Sequence, residues 1–278
     1  MARERSQTRF RRKHQPGGPA AGSTWWAPGA RGWWIGVLFA VGSTLFALGA
    51  VPGYADLVGT RADSLTFFTG SLFFTAAAFL AYREAVDAGQ QPPAGSADED
   101  QTAGHGRHRR RFFVVQRRRI DWWATAVQLA GTLFFNASTG NALRTDLSAR
   151  AAHQHIWRPD ALGSVCFLAS SALAWAEACD GWAAWRPWSW AWWITLANLA
   201  GSAAFGISAV AGYISPTTGR VSDAGLASLG TLAGALCFFA GSLALLPERT
   251  EGDLADGHAR PPGNARVVRQ LAPRARRP

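Results

Sequence analysis

Residues 33–46 read "WWIGVLFAVGSTLF": two adjacent tryptophans, no charge, and small residues in the middle. Closely similar text returns at 122–135 as "WWATAVQLAGTLFF" and at 192–205 as "WWITLANLAGSAAF". A phrase written three times marks an internal repeat. Each copy opens an uncharged run near the roughly 20 residues that a helix needs to cross the hydrocarbon of a bilayer. Six runs of this kind, none with a charge in its middle, are read as spans: 33–51, 64–82, 122–139, 161–178, 190–210 and 226–246. Gly, Ala, Ser and Thr occupy many of their positions, and small residues let helix backbones approach where lipid supplies no hydrophobic drive. A soluble bundle would need polar faces on most helices, which these runs do not offer.

Whole-chain averages conceal this. The 278 residues are 48% hydrophobic and the mean hydropathy is near zero, values that would also suit a soluble protein. The apolar residues are gathered in runs, however, with the arginines between and beyond them. The 14 tryptophans and 30 glycines fit membrane helices and their ends. The first run is expected to be a span, not a cleaved signal peptide, because it exceeds the usual apolar core and follows a long lead.

Charge sets an expected orientation. An even number of spans places both termini on one side, and that side with its loops carries 23 of the 28 Lys/Arg residues. The three opposite loops hold only Arg61, Arg144, Arg150, Arg158 and Arg220. The positive-inside rule therefore predicts a plasma-membrane protein with cytoplasmic N- and C-termini. On the same reading, 13 of 14 tryptophans lie at the cytoplasmic side, where an indole suits the headgroup boundary. Trp33, Trp34, Trp122, Trp123, Trp192 and Trp193 are the expected anchors there, and Trp157 is the exception on the outside.

Counting from each tryptophan pair extends the repeat. Nine residues on stand Gly42, Gly131 and Gly201, and seven further on Gly49, Ser138 and Ser208. A seven-residue step keeps about one helix face, giving a small-residue packing stripe. The alternate runs share another phrase: Gly70, Gly163 and Gly234, then Phe74, Phe167 and Phe238 four residues later. Ala77, Ser170 and Gly241 follow at seven, and Glu84, Glu177 and Glu248 at fourteen. The expected fold is all-α: six transmembrane helices built as three parallel-oriented helical hairpins with approximate threefold symmetry. The hairpins occupy 32–84, 117–179 and 180–248. A basic disordered arm at 1–31, a flexible Pro/Gly linker at 85–116 and a basic tail at 249–278 complete the chain.

Candidate polar chemistry is sparse. Gln128, Asn136 and Asn198 lie at membrane depth, where an amide requires partners. They can line a solute path, or they can bond between helices and fix packing; packing is favoured. The glutamates oppose the helix dipole at the C-terminal ends of their helices, so interfacial partners such as Arg83, Arg186, Arg249 or indole N–H groups are expected. His153 and His155, with Asp146 and Asp160 nearby, could form a metal site, but their spacing matches no ligand motif and a solvated loop is preferred. Cys166, Cys179 and Cys237 show no CxxC arrangement. No nucleotide-binding glycine loop, HExxH, GxSxG or intramembrane carboxylate pair is present, so no cofactor or catalytic residue is assigned. The formal charge of +10 is read as attraction to an anionic inner leaflet and not as nucleic-acid binding.

The phrases "WWIGVLFAVGSTLFALGAVPGY", "DWWATAVQLAGTLFFN", "WRPDALGSVCFLASSALAW" and "WWITLANLAGSAAFGISAVAGYISPTTG" resemble a family of actinobacterial integral membrane proteins related to the small YrhK-like membrane domain. The resemblance covers residues 30–250 and implies the membrane class, with no catalytic or ligand residues to carry over. The expected function is a non-enzymatic membrane protein with a structural or accessory role, with a membrane-protein partner or self-association open to it. A small-solute transporter or channel lined by Gln128, Asn136 and Asn198 is the alternative, and a membrane-embedded enzyme is disfavoured.

Overall fold

A computed structural model describes residues 26–90, 119–179 and 189–258, except for the side chains of 89–90 and 247–258. Most of the expected arm, most of the linker, Arg186 and the end of the tail lie outside the described residues. So do the side chains of Glu248 and Arg249. Residues 85–90 and 249–258, expected in the flexible linker and the disordered tail, instead continue helices.

The described residues are almost wholly helical. Helix α1 spans Arg31–Gly49, α2 Tyr54–Val58, α3 Thr60–Gln90, α4 Ile120–Ala142, α5 Ala149–Ala152, α6 Arg158–Ala178, α7 Trp190–Ala211 and α8 Ala224–His258. Five segments are long and apolar enough to cross a membrane: α1, residues 60–88 of α3, the continuous helix from α5 through α6, α7, and residues 224–246 of α8. The chain is a multi-pass membrane protein. Helix α4 has the length, at 23 residues, but Gln128, Asn136 and Asn141 make it less apolar than the other five.

The long helices pack in chain order, α1 on α3, α3 on α4, α4 on α6, α6 on α7 and α7 on α8, and α8 returns to pack on α1. The result is a closed ring of helices in which each touches two neighbours. Short connections suffice at one end. Between α1 and α3 the chain turns at Gly53 and Gly59, whose φ of 84° and 87° are left-handed values that a Cβ disfavours. Segment 149–157, expected as a solvated loop, is helical instead. Ser148 caps α5 by accepting from the Ala151 N–H. Residues His153–Trp157 then form a π-turn into α6. Pro159 follows directly and has no N–H to offer the His155 carbonyl, so the wider turn lies where the α-helical ladder is interrupted.

Candidate functional site

The axis of the ring is where a permeation path would run, and it is filled with aromatic rings. Phe46, Phe74, Phe135, Phe167, Phe205 and Phe238, one from each long helix, are all buried in one cluster. Phe46, Phe135 and Phe205 form a triangle with centroids 6.3, 6.1 and 5.9 Å apart. Phe74, Phe167 and Phe238 form a second triangle at 6.2, 6.1 and 5.6 Å. The two are joined by the pairs Phe46–Phe74 at 5.3 Å, Phe135–Phe167 at 5.1 Å and Phe205–Phe238 at 5.4 Å. Most of these contacts are edge-to-face, the arrangement that ring quadrupoles favour. The gap between the rings leaves no room for a water molecule.

The glycines make this plug possible. A Cβ on Gly42 would stand 2.9 Å from the Phe74 ring, and one on Gly70 would stand 2.8 Å from Phe46. The same reciprocal exchange links Gly131 with Phe167, Gly163 with Phe135, Gly201 with Phe238, and Gly234 with Phe205, at 2.7–3.3 Å. Each glycine is the socket for its neighbour's phenylalanine. Gly49 likewise receives Phe67, and Gly241 stands against the Asn198 side chain. The sequence reading named Phe74, Phe167 and Phe238 but missed Phe46, Phe135 and Phe205. The signal was present, since each lies 13 residues after the first tryptophan of its pair.

The amides do not meet on the axis. Asn136 Nδ2 donates to Thr75 Oγ1 at 2.8 Å, bridging α4 to α3, while its Oδ1 is buried without a partner. Asn198 lies between α7 and α8 at Gly241, and Gln128 is half-buried on α4. Hydroxyls carry much of the remaining polar contact between helices. Ser71 bonds Thr139 at 3.0 Å, Ser170 donates to the Ala124 carbonyl at 2.8 Å, and Ser171 bonds Ser202 at 2.8 Å.

In each tryptophan pair the two indoles diverge. Trp33, Trp122 and Trp192 are buried in the bundle, whereas Trp34, Trp123 and Trp193 are exposed. Their rings meet edge-on at 5.0, 4.9 and 4.8 Å. Only the second member of each pair is thus placed to meet lipid or headgroups. Glu84 and Glu177 are half-buried near the same end. Asp87, which the sequence reading passed over, accepts from Arg31 at 2.7 Å and from Arg83 at 3.2 Å, tying the start of α1 to the end of α3.

At the far end, away from the tryptophan pairs, two features stand out. His153 Nδ1 donates to the Ile214 carbonyl at 2.7 Å, and its ring stacks on Trp157 at 4.7 Å. Trp157 Nε1 donates to the Ala209 carbonyl at 2.9 Å, and Tyr213 packs edge-on against the indole. These contacts pin the α5–α6 segment to α7. The second feature is a cleft of about 260 Å³ between the ends of α1, α3 and α8, lined by Ala50, Gly53, Asp63, Phe67, Ser228 and Thr231 among others. Asp63 Oδ1 is buried there with no hydrogen-bond partner. Among the described residues, no three His, Cys, Asp or Glu side chains gather as a metal site. Comparison with protein-family models, with curated proteins and with solved structures returns no match.

Proposed function

We propose that the chain is a six-span membrane bundle of three helical hairpins with approximate threefold symmetry, acting as a non-enzymatic structural or interaction module. Its expected place is the plasma membrane, with both termini cytoplasmic. The six-phenylalanine plug carries this reading. A path for a polar solute needs a wet, polar axis, and this axis is dry and aromatic. The reciprocal glycine–phenylalanine sockets, formed at corresponding positions in each hairpin, support the repeat. The resemblance to the YrhK-like membrane family fits the same class.

The test is flux. Purified protein in liposomes is expected to leave potassium, glycerol and glycine permeabilities at the level of protein-free vesicles. Faster equilibration of any of the three would overturn the reading if Phe167→Trp, which enlarges the plug, reduced the rate.

A further inference from the structure

The far-end cleft has a counterpart elsewhere in the ring, and the counterpart is occupied. Ser228 stands six residues before Gly234, as Trp157 stands six before Gly163. Ala50 lies 17 residues after Trp33, as Ala209 lies 17 after Trp192. Between α6 and α7 the Trp157 indole therefore fills the place that stays open between α8 and α1, and its N–H satisfies the Ala209 carbonyl. The chain itself shows the shape that fits: a flat aromatic body with an N–H donor.

One difference adds charge. Asp63 lies seven residues before Gly70, and the residue at that position before Gly234 is Ala227. Both Asp63 and Ala227 line the open cleft. At this space α3 presents the Asp63 carboxylate, one oxygen of which makes no protein hydrogen bond. A carboxylate lining a cleft favours a cationic donor, since charge-assisted hydrogen bonds are the stronger kind. Phe67 belongs to the same lining, and an aromatic ring there is compatible with a cation. At about 260 Å³ the cleft lies below the usual range for drug-sized ligands, so its occupant is small.

We propose that the cleft between α1, α3 and α8 binds a small organic ammonium with a flat apolar body, held by Asp63 and seated where Trp157 sits in the neighbouring seam. The inference rests on the repeat reading above, and its test is independent of flux. Labelled tryptamine is titrated onto the full chain in nanodiscs of phosphatidylglycerol, with indole and phosphatidylethanolamine as competitors. Saturable binding at one site per chain is expected, weakened about tenfold or more by Asp63→Asn, the order expected for losing one charge-assisted bond. Ser228→Trp should abolish binding while leaving thermal stability at or above that of the unaltered chain. Indole, lacking the charge, should compete about tenfold more weakly or worse. Absence of saturable binding, or full affinity in Asp63→Asn, overturns the proposal. Displacement by phosphatidylethanolamine in place of indole would show that a lipid headgroup supplies the ammonium, and that also overturns it.

Discussion

Two seams of the ring, α6 against α7 and α8 against α1, use corresponding positions differently. The first is bonded along its length. Trp157 donates to Ala209, His153 donates to Ile214, Ser171 bonds Ser202, and Ser164 reaches the Phe205 carbonyl. In the second, Ser228 replaces the tryptophan, Ser43 Oγ is buried without a partner, and Ser242 turns back to the Phe238 carbonyl of its own helix. Close approach is prominent between α8 and α1: a Cβ on Gly36 would stand 2.7 Å from the Leu246 side chain and 3.2 Å from the Ser242 carbonyl. The α8–α1 seam also closes the ring between helices at opposite ends of the bundle sequence. One pair of helices is thus joined largely by hydrogen bonds while close packing carries part of the other, and the proposed binding space lies at the second.

The largest expected effect comes from breaking the bonded seam at its far end. Trp157→Ala removes the indole, its hydrogen bond and its stacking on His153. It should cost about 2 kcal/mol, less than the range for a fully buried tryptophan because the residue is partly exposed. Ser228→Ala, at the corresponding place in the other seam, should change stability by under about 0.5 kcal/mol. Equilibrium unfolding in mixed micelles measures both. Equal losses would erase the contrast.

Much of this architecture was legible in the residue pattern, and the reasons are specific. Five of the six expected spans coincide with helices long and apolar enough to cross a membrane, because length and apolarity are read along one helix, and the glycine spacing is read the same way. The buried and exposed members of the tryptophan pairs were not legible, since two adjacent residues differ by only about a quarter turn and the sequence does not say which way the helix is rotated. The role of Trp157 was missed because its partner Ala209 offers a backbone carbonyl, which leaves no mark in side-chain identity. Asp63 was missed for a different reason: it lies at the edge of an apolar run, where a carboxylate looks solvated, and only the fold shows it lining a cleft with residues of α8. The phenylalanine plug was only half legible, because the spacing of Phe46, Phe135 and Phe205 from their tryptophan pairs was not counted and only the fold brings the six rings together.

A second pair of substitutions sharpens the claim that shape joins α8 to α1. Gly36→Ala pushes a methyl into Leu246 and the Ser242 carbonyl, and should cost about 1 kcal/mol by overpacking. Gly206, on α7, has nothing within 4 Å of its Cβ position, so Gly206→Ala should stabilise by roughly 0.5–1 kcal/mol through helix propensity alone. Opposite signs are the expected result in the same unfolding assay. Two stabilising glycine replacements would mean that the α8–α1 contact is looser than the bonded seam, and that its cleft extends further toward the tryptophan end.

The smallest effect isolates the hydroxyls. A double-mutant cycle on Ser171 and Ser202 should return a coupling of about 0.6 kcal/mol, the average for hydrogen bonds between membrane helices. The corresponding cycle on Ser242 and Ser43 should return a value near zero, because each hydroxyl ignores the other. Ser43→Ala alone should be neutral or slightly stabilising, since it deletes a buried hydroxyl that has no partner in the fold. A coupling between Ser43 and Ser242 as large as that between Ser171 and Ser202 would show the two seams to be bonded alike at this depth. The difference between them would then be confined to the far end, where Trp157 fills one site and Ser228 leaves the other open.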